Sequence, residues 1–185
     1  MEHKISIQPG AFFFAALTIL MLPVRWWMGA LLAGTIHELA HMGAVYLLGG
    51  RILSITVAPL GAVLHSGPML RYRGALASLA GPMGSLCLTW FARCFPEMAV
   101  CGLIQGLFNL LPVYPLDGGR VARCLLSEQI CEIAEIFTLV MTAIFGIWLY
   151  RHSELGAASV FPLAMLLLAW LPGKLSCKEA DLAVQ

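Results

Sequence analysis

Charged side chains are scarce in this sequence, since Asp, Glu, Lys and Arg make up 11% of its 185 residues while hydrophobic residues make up 60%. A soluble domain has roughly one quarter charged and about one half apolar residues, so this chain has too little charge to cover a water-facing surface. Its formal net charge of +1 gives no basis for expecting a nucleic-acid partner. The composition therefore predicts a polytopic membrane protein surrounded by the lipid bilayer.

Closely spaced cysteine pairs are also missing, because none of the six cysteines belongs to a CxxC motif. Most lie within or beside predicted spans, where cysteine acts as a small hydrophobic residue, so we expect neither disulfides nor cysteine-ligated zinc. A cleavable signal peptide is not expected either. Residues 1–10 are mostly polar, and no clear small-residue cleavage site follows the first apolar run.

Long apolar runs are present, and they predict a single domain of six transmembrane helices. The predicted spans are about 11–24, 26–48, 74–92, 98–111, 133–150 and 156–172. A short amphipathic surface helix is predicted at 119–131. Between the second and third spans, residues 52–65 are rich in β-branched side chains and broken by Pro59 and Gly61, which predicts two strands around a turn.

The fold class is therefore an all-α polytopic membrane protein with a short membrane-associated β-hairpin at about 52–65. Such backbone at membrane depth must be buried in protein or line a wet cavity, and an ordinary loop hairpin is the alternative. In the third span, the small residues of 80–84 permit close helix approach, and Pro82 should kink or weaken the helix. Both plain packing and a role in shaping the site remain open for this motif.

The distribution of lysine and arginine predicts the orientation of the spans. With the N-terminus in the cytoplasm, the outer turns hold three of these residues and the inner segments hold eight, namely Lys4, Arg51, Arg71, Arg73, Arg120, Arg123, Lys174 and Lys178. Both termini are therefore expected in the cytoplasm. His41 lies seven residues before Leu48 at the end of the second span. At about 1.5 Å per residue, a site there lies roughly 10 Å below the cytoplasmic boundary.

The second span contains the sequence His37-Glu38-Leu39-Ala40-His41. Residues four apart on a helix share a face, so His37 and His41 can hold one ion between two imidazoles. Glu38 is placed to act on water at the metal rather than to bind the metal. These residues are costly in hydrocarbon and rare there unless they pair or line a functional cavity. The alternative is a pair of satisfied core histidines with a snorkelling Glu38.

A catalytic zinc takes three protein ligands and leaves one position for water, so a third ligand is needed. Asp117 is the best candidate because it is the only aspartate before the C-terminal tail and lies at a broken helix end. Pro112 and Pro115 end the preceding helix, and the glycines 118–119 let the backbone approach its neighbours. The alternative is that Asp117 caps the following helix. Rival third ligands also remain: His65, Glu132 and Glu135. The two glutamates are otherwise interpreted as residues at the boundary of the fifth span.

An HExxH in one span and an Asn-x-x-Pro-x-x-Pro-x-Asp-Gly motif in a later one together resemble the site-2 protease family, the intramembrane zinc metalloproteases of peptidase family M50. The motif reads Asn109, Pro112, Pro115 and Asp117 here, a spacing especially similar to the sporulation branch, the stage IV sporulation protein FB type. That branch is also similar in having six spans with the HExxH in the second. The resemblance extends over most of the chain.

This resemblance implies one Zn²⁺ per chain, held by His37, His41 and Asp117, with Glu38 as the catalytic glutamate. It implies that Asn109 holds the substrate or polarises the scissile carbonyl, and an amide that ties two helices together is the alternative. It also implies that the hairpin pairs with an extended substrate. Members of the branch commonly carry a CBS domain after the last span. We expect no CBS or PDZ domain here, so we do not expect this protein to be regulated through a CBS domain.

The expected function is regulated intramembrane proteolysis in a bacterial cell membrane, with the active site near the cytoplasmic side. The branch implies a membrane-associated sigma-factor precursor as substrate during sporulation and a membrane inhibitory partner. An anti-sigma factor or a remnant signal peptide is the alternative substrate. Two other classes are a metal transporter, which would need several polar sites across the bilayer, and an inactive scaffold, which would not need the complete set of motif residues.

Overall fold

In the computed structural model, the chain divides into two compact units, Met1–Leu110 and Leu111–Gln185, and each is described by itself. The described residues are 4–7, 12, 16, 19–20, 23–58, 61–152, 164, 166–167 and 170. The first predicted span, 11–24, and the sixth, 156–172, therefore lie largely outside the described residues.

The longest helix of the first unit, α1, runs from Val24 to Leu47 and agrees with the predicted second span. It ends where Gly49 adopts a φ of 76°, a left-handed conformation that suits glycine and stops a helix. The buried residues of α1 recur every four positions: Gly29, Ala33, His37, His41 and Val45. A single stripe of this helix is therefore buried, and both histidines lie on it.

Two further helices pack against α1 and against each other. Helix α2 spans Arg71–Cys87 and continues as a short 3-10 helix, Leu88–Phe91, while α3 spans Pro96–Asn109. Pro82 lies inside α2, which runs on as a helix past it. Small residues bring α2 and α3 close together, because a Cβ at Gly102 would lie 2.7 Å from the carbonyl oxygen of Ser85.

The predicted strands at 52–65 are present as β2, Ile52–Ala58, and β3, Gly61–Ser66, which pair antiparallel. The sequence did not predict a third strand, yet β1, Lys4–Ile7, pairs parallel with β2. The order in the sheet is β1-β2-β3. An isolated hairpin is marginally stable, and a third strand adds a second ladder of hydrogen bonds.

The second unit contains α4, Asp117–Leu125, and α5, Glu128–His152. The prediction of one amphipathic helix over 119–131 was therefore wrong in its bounds. Leu126 has an extended ψ of 166°, which ends α4. Ser127 precedes a new helix, in a position where serine is favoured. Helix α5 consequently begins five residues before the predicted fifth span.

Two helices in the described part of the chain are long and apolar enough to cross a membrane, namely Arg71–Phe91 and Glu128–His152. Six spans are therefore not established. Helix α3 has 14 residues, which is short for a span. Helix α1 has 24 residues, but His37, Glu38 and His41 lower its apolar character. The polar residues that make α1 chemically interesting also make it a weak candidate span.

Candidate metal centre

The two motif histidines face one another on the buried stripe of α1. His37 is 3% exposed and His41 is 9% exposed. Their Nε2 atoms lie 3.2 Å apart, and the rings meet edge to face with centroids separated by 4.7 Å. The helical spacing of four residues predicted this arrangement, in which two imidazole nitrogens point to the same place.

The other nitrogen of each ring has a partner on α2. Nδ1 of His41 lies 2.8 Å from the carbonyl oxygen of Ala77, and Nδ1 of His37 lies 2.8 Å from Oγ of Ser85. A carbonyl only accepts, so Nδ1 of His41 carries the proton and its Nε2 keeps a lone pair. The Ser85 hydroxyl can accept from or donate to Nδ1 of His37, so this contact is compatible with the same tautomer. Histidines that bind a metal are held in this way, so the pair fits a metal ion.

Gly81 explains how α2 comes so close to the histidines. A Cβ at this position would overlap the imidazole of His41. A Cβ at Gly84 would lie 2.8 Å from the Cβ of Ala40. The small residues of 80–84 therefore shape the surroundings of His41 as well as the packing. Ser85 was missed in the sequence, although it follows Gly81 by one helical turn and is a polar residue on the same buried face.

Asp117 is the first residue of α4 and is 7% exposed. The residue in the N-cap position is Leu116, so Asp117 does not occupy the capping position that the alternative interpretation required. His37 and His41 in the first unit and Asp117 in the second are residues that could each offer one ligand atom to a metal ion. Two imidazoles and one carboxylate are a common ligand set for catalytic zinc.

The rival ligands belong to no metal-binding group in the described part of the chain. His65 and Glu132 are exposed. Glu135 was interpreted as a residue at the boundary of a span, and this was wrong, because it is only 2% exposed. Its carboxylate accepts hydrogen bonds from Arg123 and from Trp170.

The structure gives the positions of the other two predicted site residues, Glu38 and Asn109, but does not test their roles. Glu38 follows His37 on α1 and is half-buried. Asn109 is the last residue of α3, and its side-chain amide donates to the carbonyl oxygen of Gln105 at 3.2 Å. That bond lies within α3, so it does not tie two helices together. The roles of Glu38 and Asn109 stay predictions.

Comparisons with known proteins show similarity to one protease family and to several of its relatives. Residues 75–149 match peptidase family M50. The chain is 29% identical over 142 residues to stage IV sporulation protein FB of Bacillus subtilis, a match that covers 69% of this chain and 49% of that protein. It is 27% identical over 139 residues to a zinc metalloprotease of Methanocaldococcus jannaschii, covering 68% of this chain and 38% of that protein.

The solved structures agree at the level of the fold. The site-2 protease from Methanocaldococcus jannaschii superposes with a TM-score of 0.66 at 16% identity, covering 91% of this chain and 89% of that chain. This likeness concerns the fold alone. The sequence is thus similar to stage IV sporulation protein FB and to a zinc metalloprotease, and the fold is similar to that of a site-2 protease. It spans about half, or less, of the length of the curated relatives it matches.

Proposed function

We propose that this protein is an intramembrane zinc metalloprotease that hydrolyses a peptide bond of a membrane-associated protein. The observation that carries the proposal is the histidine pair of α1, with Nε2 atoms 3.2 Å apart and both Nδ1 atoms held by partners on α2. If both Nδ1 atoms carry protons, the two Nε2 lone pairs face each other, and a metal ion between them would remove their repulsion.

His37, His41 and Asp117 would hold the zinc ion. Zinc bound by this ligand set supplies a Lewis acid for the scissile carbonyl and lowers the pKa of water toward about 7. The convergence of the two histidines on α1, the burial of Asp117 and the zinc metalloprotease relatives support this assignment. The partners of the two Nδ1 atoms fix the ring orientations before the metal arrives, which reduces the cost of assembling the site.

Glu38 would act as the general base. It neighbours His37 on α1 and is half-buried, so its carboxylate can take a proton from the attacking water and pass it to the leaving amine. Asn109, at the end of α3, would hold the substrate backbone through its side-chain amide. A helical substrate hides its carbonyls, so it must unwind near the cleavage point. The sheet that ends in β3 would then pair with the extended segment by strand addition.

The wider setting follows from the charge distribution and from the relatives. Six spans with both termini in the cytoplasm would place the site near the cytoplasmic side of a bacterial cell membrane. The similarity to stage IV sporulation protein FB supports a sigma-factor precursor as substrate, held back by a membrane inhibitory partner. An anti-sigma factor or a remnant signal peptide is the alternative substrate, and the cleavage test below distinguishes it from a sigma-factor precursor.

The test combines zinc content with cleavage in detergent-purified protein. Wild type and Glu38→Gln should each contain about one zinc per chain, and only wild type should cleave a sigma-factor precursor, because the amide cannot take a proton from water. Cleavage of an anti-sigma factor or signal-peptide substrate instead would redirect the substrate assignment and keep the chemistry. Absence of zinc from both proteins would refute the metalloprotease, and normal cleavage by Glu38→Gln would refute the base.

A further inference from the structure

The carboxylate of Glu135 is the most deeply buried acidic group among the described residues outside the predicted zinc ligands. It lies on α5 and is 2% exposed. Oε1 accepts from the backbone N–H of Tyr114 at 3.3 Å and from Nη2 of Arg123 at 3.1 Å. Oε2 accepts from Nε1 of Trp170 at 3.1 Å. A buried carboxylate is costly, and here three donors from three parts of the second unit compensate it.

Two of these donors lie on either side of Asp117. Tyr114 lies three residues before it in the proline-containing loop, and Arg123 lies six residues after it on α4. The guanidinium of Arg123 also lies over the ring of Tyr114, 4.1 Å from its centroid. Glu135 and Arg123 therefore fasten the end of the loop to the helix that Asp117 begins.

Close backbone packing completes the junction. A Cβ at Gly119 would lie 2.5 Å from the backbone nitrogen of Tyr114 and 2.6 Å from the carbonyl oxygen of Val113. The first turn of α4 thus rests directly on the loop, with no room for a side chain between them. The direction in which Asp117 leaves the backbone depends on this packing and on the ion pair of Arg123 and Glu135.

We propose that Glu135, through its bonds to Tyr114 and Arg123, is a positioning residue that aims the Asp117 carboxylate for zinc. This inference rests on the proposed function, because it assigns Asp117 as a zinc ligand. Glu135 is not one of the three candidate zinc ligands. Its effect is exerted through the loop and α4, as outer partners of metal ligands act in other sites.

The experiment measures Zn²⁺ affinity of the full chain in detergent by competition with a chelating dye. The visible absorption of the Co²⁺-substituted protein reports the ligand geometry. Glu135→Gln keeps the size of the side chain and removes its charge. We expect it to weaken Zn²⁺ binding by about 10- to 100-fold and to change the Co²⁺ spectrum. Glu128→Gln is the matched control, because Glu128 is an exposed carboxylate at the start of the same helix, and it should bind Zn²⁺ like wild type.

A double-mutant cycle separates positioning from general stability. Arg123→Gln should weaken Zn²⁺ binding by a similar factor, and the double variant should lose no more than either single variant if the two residues act as one unit. A purely structural role predicts a lower unfolding temperature with unchanged Zn²⁺ affinity and Co²⁺ spectrum. If Glu135→Gln does not fold, Arg123→Gln decides the question by the same readouts.

The outcomes distinguish this inference from the proposed function. If wild type binds Zn²⁺, Asp117→Ala does not, and Glu135→Gln binds within twofold of wild type, the positioning role is overturned and the protease assignment stands. If wild type binds no Zn²⁺, the proposed function fails, and the positioning role fails with it.

Discussion

The two halves of the candidate metal centre are held in place by different kinds of structure. His37 and His41 lie one turn apart on α1, so the geometry of a single helix fixes their spacing. Asp117 lies where a loop meets α4, and its surroundings are held by Arg123 and Glu135. The spacing of the two histidines is thus encoded within five consecutive residues, whereas the placement of Asp117 depends on contacts among a loop and two helices.

Removal of a ligand from either half should have the largest effect. We expect His37→Ala and Asp117→Ala to lose both zinc and cleavage, since each leaves two protein ligands where catalytic zinc takes three. The loss of Zn²⁺ affinity should exceed the about 10- to 100-fold that is typical of an outer partner. Zinc content and cleavage of a verified substrate are the measurements.

Asn109→Ala serves as the control for this pair, because it removes a predicted substrate contact and should retain zinc. Stoichiometric zinc in Asp117→Ala would remove that residue from the ligand set. The metal centre would then consist of the two histidines and an unidentified third ligand, and the comparison between the histidines and Asp117 would no longer describe it.

A methyl group at Gly81 should disturb the histidine half almost as strongly without removing any ligand. In Gly81→Ala the new Cβ would overlap the His41 ring. A shift of α2 away from this ring would stretch the hydrogen bond between Nδ1 of His41 and the carbonyl oxygen of Ala77 on the same helix. We expect a loss of about 1–3 kcal/mol in unfolding free energy from overpacking, together with Zn²⁺ affinity at least about tenfold weaker. Thermal unfolding and dye competition measure the two effects.

Gly43→Ala is the matched control on α1. A Cβ there meets nothing within 4 Å, so alanine should leave Zn²⁺ affinity unchanged and stabilise the helix by up to about 1 kcal/mol. Equal Zn²⁺ affinity in Gly81→Ala and Gly43→Ala would show that α2 does not support His41.

The same contrast explains what the sequence could and could not predict. The histidine helix was predicted at 26–48 and found at Val24–Leu47, because its periodicity and its glycine stop are local signals. The pairing of β1 with β2 was not predicted, since the side-chain pattern of a four-residue strand does not indicate which distant strand it pairs with. Glu135 was misinterpreted for a related reason. In the sequence, a glutamate beside apolar residues fits a membrane boundary as well as a buried ion pair, and only the fold shows that Arg123 lies next to it.

Ser85 should give the smallest effect of these substitutions, and it tests whether the histidine half is really self-contained. Ser85 is fully buried, and its hydroxyl is the partner of Nδ1 of His37. Ser85→Ala should therefore weaken Zn²⁺ binding by about tenfold, the lower end for an outer partner, because packing still holds the ring while its Nδ1 loses the hydroxyl partner. Thr89→Val, which removes a hydroxyl that bonds only locally to the carbonyl oxygen of Leu86, should leave Zn²⁺ affinity unchanged.

His41 should be unaffected by Ser85→Ala, because its own partner is the backbone carbonyl of Ala77, which no side-chain substitution removes. The tenfold loss would then belong to His37 alone, and the pair would be one ligand held by backbone and one held by a side chain. If Ser85→Ala binds Zn²⁺ as tightly as wild type, the hydroxyl of Ser85 does not orient His37, and the histidine pair depends only on α1 and on the backbone of α2 at Ala77.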